Sequence, residues 1–223
     1  MEIVHATGVD GARSARGVVV VIDVLRSFTV SAYALAGGAR ECLLVSTVDE
    51  ALALAARTPD AVVCAEVDGL PVPGIAISNS PTQIQAANLS GRTLIQRSSA
   101  GTPAMAAVTT TEGMLAGSFV VAGATAQACL LRSPEVITLI ASADFPEDHA
   151  CAQYLEALLR GAHEDVDSLL APLRHSERYH MHLSGTWPGF PATDIELALA
   201  IDRFDFAMPA TRRDGHLRLT RGR

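Results

Sequence analysis

The sequence predicts an α/β fold: three layers, α/β/α, around a largely parallel central sheet, with a strand and hairpin added by the C-terminal part. Three observations carry this. Val18–Ile22 is an unbroken run of five apolar residues ending at Asp23, the pattern of a strand buried on both faces. From there to about residue 160, strand-length apolar runs alternate with helix-length ones, and a β-α-β-α-β order calls for parallel strands joined by right-handed crossovers. The composition, 49% hydrophobic with only one Trp and three Tyr, demands a core of Ala, Val, Leu and Ile, as in ordinary α/β proteins. The 223 residues read as a single domain, 1–223, with a core at 18–160 and a C-terminal part at 161–223.

Taken in order, the strand ending at Asp23 is followed by a helix from Ser27 to Ala39, stopped by Gly37-Gly38. Glu41–Ser46 is the second strand. Thr47 with Glu50 forms a capping box that opens the next helix. Ala61–Ala65, ending at Glu66, is the third strand. Residues 68–80 are too rich in Pro and Gly for a regular element, and a loop of that length inside a compact domain is often functional. It ends in Asn79-Ser80-Pro81, with Ser80 placed to cap a short helix and Pro81 at its first position.

The strand Arg92–Gln96 then enters the turn Arg97-Ser98-Ser99-Ala100-Gly101-Thr102, whose backbone N–H groups and hydroxyls can cradle an oxyanion. Neither a Walker loop nor a dinucleotide fingerprint is present. A strand at 112–119, a helix at 123–131 and a strand at 136–142 follow. Glu147 and Asp148 then open a helix to Leu159, where the helix dipole alone favours acidic residues. Beyond Gly161 the chain predicts a helix from Asp165 to Leu173 and a solvated loop carrying His175, His180 and His182, rather than a metal site. It then predicts a Thr193–Glu196 capped helix and a strand Phe204–Met208, with Asp214-Gly215 turning a hairpin.

A net charge of −7 argues against a nucleic-acid or anionic-membrane surface. The four cysteines are scattered without zinc or redox spacing, so buried, reduced thiols in a cytoplasmic protein are expected. No leader pattern or long apolar run is seen, and no membrane partner is expected. The assembly state is open, with a homodimer as the candidate.

If the strands are parallel, Asp23 with Arg26, Glu66, the 98–102 turn, and Asp144 with Glu147 and Asp148 share one edge of the sheet. Ligands of open α/β sheets gather there. Carboxylates suit Mg²⁺, which combines one or two of them with water and the oxygens of a phosphorylated substrate. Arg26 and the turn could hold an anion, so the constellation points to metal-assisted chemistry on a small phosphorylated acid.

Ile22-Asp23-Val24-Leu25-Arg26, Ala65-Glu66, Ile77-Ser78-Asn79-Ser80-Pro81, Gly101-Thr102, Gly117-Ser118 and Glu147-Asp148 appear in the order and rough spacing of the 2-phosphosulfolactate phosphatase family, which the chain resembles. The stretch 194–206 resembles that family's C-terminal part. The resemblance implies an α/β, Mg²⁺-dependent hydrolase that cleaves the phosphate ester of a small sulfonated hydroxy acid. It implies Asp23 and Glu66 at the metal, and Arg26, Ser98, Ser99, Gly101 and Thr102 at the substrate's anionic groups. Asn79 and Ser80 would meet substrate or a metal-bound water, and Glu147 or Asp148 would assist or act as general base. Asp23 also resembles the nucleophile of haloacid-dehalogenase phosphatases, but that motif wants an Asp where Leu25 stands, so a metal-activated water is the expected nucleophile. The chain departs from the family's pattern at Ala100 and at Ala124-Thr125, where an Asn is usual. A non-catalytic, anion-binding or regulatory homologue is the alternative reading.

Overall fold

The computed structural model describes residues 1–109 and 111–222, and ten strands and ten α-helices are found among them. The first half of the chain holds β1 (Glu2–Thr7), α1 (Gly8–Arg13), β2 (Val18–Ile22), α2 (Ser27–Ala36), β3 (Glu41–Val45), α3 (Val48–Ala55), β4 (Ala61–Val67), β5 (Leu70–Pro71), α4 (Pro81–Ala86), β6 (Thr93–Arg97) and α5 (Gly101–Ala107). The second half holds β7 (Gly113–Gly117), α6 (Ala122–Leu130), β8 (Val136–Ala141), α7 (Pro146–Leu159), α8 (Val166–Arg174), α9 (Glu177–Leu183), α10 (Thr193–Ala198), β9 (Met208–Arg213) and β10 (His216–Leu219).

The three-layer arrangement is visible in β2, all five residues of which are buried. Val19 and Val21 pack with Phe28, Ile84 and Met105 of α2, α4 and α5, while Val18, Val20 and Ile22 pack with Phe119, Cys129 and Leu155 on the opposite face. Each such side chain contributes about 1.5–3 kcal/mol relative to exposure. An uninterrupted Val/Ile run therefore claims the centre of the sheet.

The strands are ordered β1-β8-β2-β7-β9-β10-β3-β6-β4-β5. β1, β8, β2 and β7 run parallel, and so do β3, β6 and β4. Between the two groups the C-terminal hairpin adds successive antiparallel pairings, β7 to β9, β9 to β10 and β10 to β3. These reversals leave β4 and β6 formally opposite in sense to β2, which corrects the expectation that simple parallelism puts all the site residues on one edge. The ends of β2, β4 and β6 nonetheless meet: Gly101, just after β6, abuts Asp23 at the end of β2, and the Ser99 N–H donates to Glu66 of β4 at 2.5 Å.

Several local expectations hold. Thr47 Oγ1 accepts from the Glu50 N–H at 3.1 Å and Glu50 Oε2 accepts from the Ser46 N–H at 2.8 Å. Asp214 and Gly215 turn β9 into β10 with φ of 50° and 84°. Others are corrected. The His-rich segment is the helix α9, because Ser176 caps it by accepting from the Tyr179 N–H at 3.1 Å. Thr193 caps nothing, since its hydroxyl pairs with that of Thr82 at 2.8 Å. The last hairpin begins at Met208, because Phe204 packs edge-on against Tyr33 of α2 at 4.9 Å. β1 and α1 carry no strong sequence signal, since the half-exposed β1 lacks a continuous apolar run. All four cysteines are buried and unpaired. No helix among the described residues is long and apolar enough to cross a membrane.

Candidate active site

Asp23 leaves the end of β2 as a buried carboxylate. Its Oδ1 accepts from the Ser27 N–H at 2.9 Å, so it does help to start α2, as a plain cap would. It also lines a cavity of about 390 Å³, which a plain cap need not do. Burial, with the negative charges of Glu66 and Glu147, pushes its pKa up to about 6, while backbone donation from Ser27 and Gly101 pulls the other way. Gly101 opens α5 against this carboxylate. A Cβ there would lie 2.5 Å from Asp23 Oδ2 and 3.0 Å from Ser27 Cβ, so the approach requires glycine.

Glu66, buried near the end of β4, faces the cavity with both oxygens engaged. Oε1 accepts from the Ser99 N–H at 2.5 Å, and Oε2 from Ser99 Oγ at 3.0 Å and the Gly69 N–H at 2.6 Å. Ser99 lines the cavity beside it. Ser98 and Thr102 do not: they are buried and bonded to each other, Thr102 N–H to Ser98 Oγ at 3.0 Å and Thr102 Oγ1 to the Ser98 carbonyl at 2.9 Å. They shape the turn.

Asn79 lines the cavity in the left-handed conformation, φ 57°, which Asn tolerates. Its Oδ1 accepts from Gln96 Nε2 at 3.1 Å, and the same amide nitrogen donates to the Ser27 carbonyl at 2.7 Å. Gln96, whose place in an apolar strand gives it no sequence signal, ties the Asn79 loop to the start of α2. Ser80 caps α4 and donates to Asp194 Oδ1 at 2.7 Å, away from the cavity.

Arg26 is buried with the guanidinium 4.0 Å over the Phe190 ring, and its Nη1 donates to Asp194 Oδ2 at 3.0 Å and the Gly189 carbonyl at 2.7 Å. Asp194, fully buried, also accepts from the Thr82 N–H at 3.0 Å. It thus holds Arg26, Ser80 and the start of α4 together. Asp148 lies outside the cavity and accepts from the Val24 N–H at 2.8 Å and Ser142 Oγ at 2.9 Å, clamping the turn that carries Asp23. Burial first and Asp23 second push its pKa well above the usual carboxylate range. Glu147 also lies outside the cavity lining and pairs with Arg178 Nε at 3.0 Å.

The remaining wall comes from Phe145, beside the predicted Asp144–Asp148 cluster, and from residues 178–190, which gave no sequence signal beyond their histidines: Arg178, Met181, His182, Trp187 and Phe190 line the cavity. His182 stacks on Phe190 at 4.0 Å, and burial, with Arg178 and Arg26 near, holds its pKa down at about 4, so the imidazole is neutral. Ala100 lines the cavity, whereas Thr125 is buried within α6 outside that lining.

Among the described residues no three His, Cys, Asp or Glu side chains converge as a metal cage. The donor set nevertheless fits a cation held by few protein ligands. Asp23 and Glu66 share one cavity, repel one another, and together keep acceptor sites free after the bonds given above. Mg²⁺ is bound in that manner, through one or two carboxylates and water.

The sequence pattern of the 2-phosphosulpholactate phosphatase family matches residues 5–185. The chain belongs to that family. Among its relatives, a probable 2-phosphosulfolactate phosphatase of Bacillus subtilis is 37% identical over 145 residues, 64% of this chain and 64% of the relative. One of the same description from Carboxydothermus hydrogenoformans is 37% identical over 144 residues, 63% of this chain and 60% of the relative. Another, from Thermoplasma acidophilum, is 27% identical over 187 residues, 82% and 81% of the two chains. The match to the first two thus spans less than two thirds of their length. Family membership agrees with the resemblance carried by Asp-Val-Leu-Arg and Asn-Ser-Pro. Of the site residues expected from the sequence, Asp23, Arg26, Glu66, Asn79 and Ser99 line the cavity, and Gly101 abuts Asp23.

Proposed function

We propose that this chain hydrolyses the phosphate monoester of a small sulfonated or carboxylated hydroxy acid, 2-phosphosulfolactate plus water giving sulfolactate and phosphate, with Mg²⁺. The observation that carries the reading is a single cavity joining two buried carboxylates, Asp23 and Glu66, to the Arg26 guanidinium and the 98–102 turn. The family and its relatives, probable phosphatases of 2-phosphosulfolactate, point to the same ester.

Asp23 and Glu66 would hold the ion, which when bound supplies positive charge to the phosphoryl oxygens. Arg26, pinned by Asp194 at one nitrogen, offers its remaining N–H groups to the transferred phosphoryl group, where charge develops. Ser99 and the start of α5 orient it. Water is the nucleophile in this scheme, since Asp23 is assigned to the metal and the position two residues on, where an aspartyl-nucleophile motif wants a second Asp, is Leu25. Asp148, with both oxygens engaged outside the cavity, positions the Asp23 turn rather than moving a proton.

Phosphate release from a panel of phosphorylated hydroxy acids, with Mg²⁺ and with a chelator, tests the proposal. Release from 2-phosphosulfolactate that depends on Mg²⁺ is expected. Silence across the panel would leave the non-catalytic, anion-binding reading, and equal rates in chelator would remove the metal.

Gly101→Ala provides a geometric check. The added methyl must displace Asp23 or Ser27, both buried, and a displacement of about 1 Å at a reacting centre costs roughly a hundredfold in rate. A drop of that order in kcat/KM is expected, with circular dichroism unchanged. Wild-type kinetics would mean that the 98–102 turn is free to move away from Asp23.

A further inference from the structure

The cavity contains a second guanidinium, built like the first. Arg178 of α9 lines it with Arg26, and each guanidinium lies 4.0 Å over an aromatic ring, Phe145 for Arg178 and Phe190 for Arg26. Each is also tied at one nitrogen to a buried carboxylate at 3.0 Å, Arg178 Nε to Glu147 and Arg26 Nη1 to Asp194. The stack sets the plane and the carboxylate sets the rotation, so the unused N–H groups are held in a fixed direction. With Nε spent on Glu147, Arg178 retains its pair of terminal nitrogens, which among the described residues have no protein acceptor. That edge takes a carboxylate or sulfonate through two parallel hydrogen bonds.

His182 lies one turn further along α9, on the same face. It is buried at the cavity wall, yet neither ring nitrogen has a hydrogen-bond partner. Buried polar groups in native proteins are overwhelmingly satisfied, so such an orphan indicates a partner that the chain itself does not provide. Arg178 and His182 thus form a second polar station beside Asp23 and Arg26, surrounded by Phe145, Met181 and Trp187.

We propose that Arg178, with His182 beside it, is the specificity-determining anchor for the substrate's second acid group, the sulfonate or carboxylate, while Arg26 and the 98–102 turn serve the phosphoryl group. The assignment rests on the hydrolytic reading above and deepens it: α9 makes the site selective for a phosphorylated acid over a plain phosphate monoester.

The test uses Arg178→Met, which keeps an apolar stem against Phe145, and Arg178→Lys, which keeps a cation beside Glu147 but loses the planar fork. Sulfolactate binding is measured by calorimetry, and KM and kcat are measured for 2-phosphosulfolactate and for 4-nitrophenyl phosphate, which lacks a second acid. In Arg178→Met, the sulfolactate Kd and the KM for 2-phosphosulfolactate should both rise about tenfold or more. Its kcat and all constants for 4-nitrophenyl phosphate should stay within about threefold of wild type. Arg178→Lys should lie between, with an unchanged melting temperature, which separates recognition from the loss of the Glu147 pair. Equal loss on both substrates, or no change in KM, would overturn the anchor. If the wild-type protein binds sulfolactate but releases no phosphate, hydrolysis fails and the calorimetric comparison still decides the role of Arg178. If it cleaves 4-nitrophenyl phosphate but does not bind sulfolactate, hydrolysis stands and the anchor is wrong.

Discussion

Asp23→Asn is expected to abolish phosphate release and, in the metal-free protein at pH 7, to raise the melting temperature. The pKa of Asp23 is pushed up to about 6 from an ordinary 3.8, chiefly by burial and then by Glu66 and Glu147. A carboxyl group whose folded pKa lies above its unfolded value favours folding most below about pH 4. That contribution is lost as pH rises through about 6, and at pH 7 the ionised group costs about 3 kcal/mol relative to the unfolded chain. The isosteric amide escapes this cost, which for a chain of this size corresponds to roughly 6–12 °C. Melting curves of both proteins in chelator from pH 4 to pH 7.5 should converge at the acid end and separate at the neutral end. Activity retained in the variant removes Asp23 from the chemistry. A variant less stable at pH 7 by about 1 kcal/mol, with activity kept, would make Asp23 a helix cap only.

Asp194→Ala should have the largest effect on stability. The side chain is fully buried and accepts from Arg26 at 3.0 Å, Ser80 at 2.7 Å and the Thr82 N–H at 3.0 Å. Its removal strands a buried guanidinium, and breaking a buried ion pair from one side costs about 3–5 kcal/mol. A urea midpoint lowered with little change in the slope would register that loss. Because Arg26 is also freed to rotate within the cavity, kcat/KM should fall even at temperatures where the variant is fully folded. Asp194→Asn keeps the shape and the Ser80 bond and should recover much of the stability but little of the activity. A variant with wild-type turnover would show that the Phe190 stack and the Gly189 carbonyl suffice to position Arg26.

The local grammar of the chain was legible where one element carries its own signal. Val18–Ile22 ending at Asp23, the Thr47–Glu50 capping box, Ser80-Pro81 opening a helix and the Asp214-Gly215 turn each depend on residues within a few positions of one another, and each is found. The motif residues Asp23, Arg26, Glu66 and Asn79 do meet in one cavity.

What the tertiary structure alone decided lies in contacts between distant parts of the chain. Arg26 meets Asp194 across 168 positions, and Arg178 meets Glu147 across 31. No periodicity or cap marks such partners, because hydropathy patterns report which face of an element is buried and not what covers it. The hairpin β9–β10 reads locally as an appendage, yet it enters the middle of the sheet and reverses half of it. Pairing of backbone groups makes little distinction between an edge and a gap, so the position of the hairpin follows from which apolar faces it can bury. Leu217 and Leu219 join the cluster around Phe28 and Met105, and that burial takes them out of water.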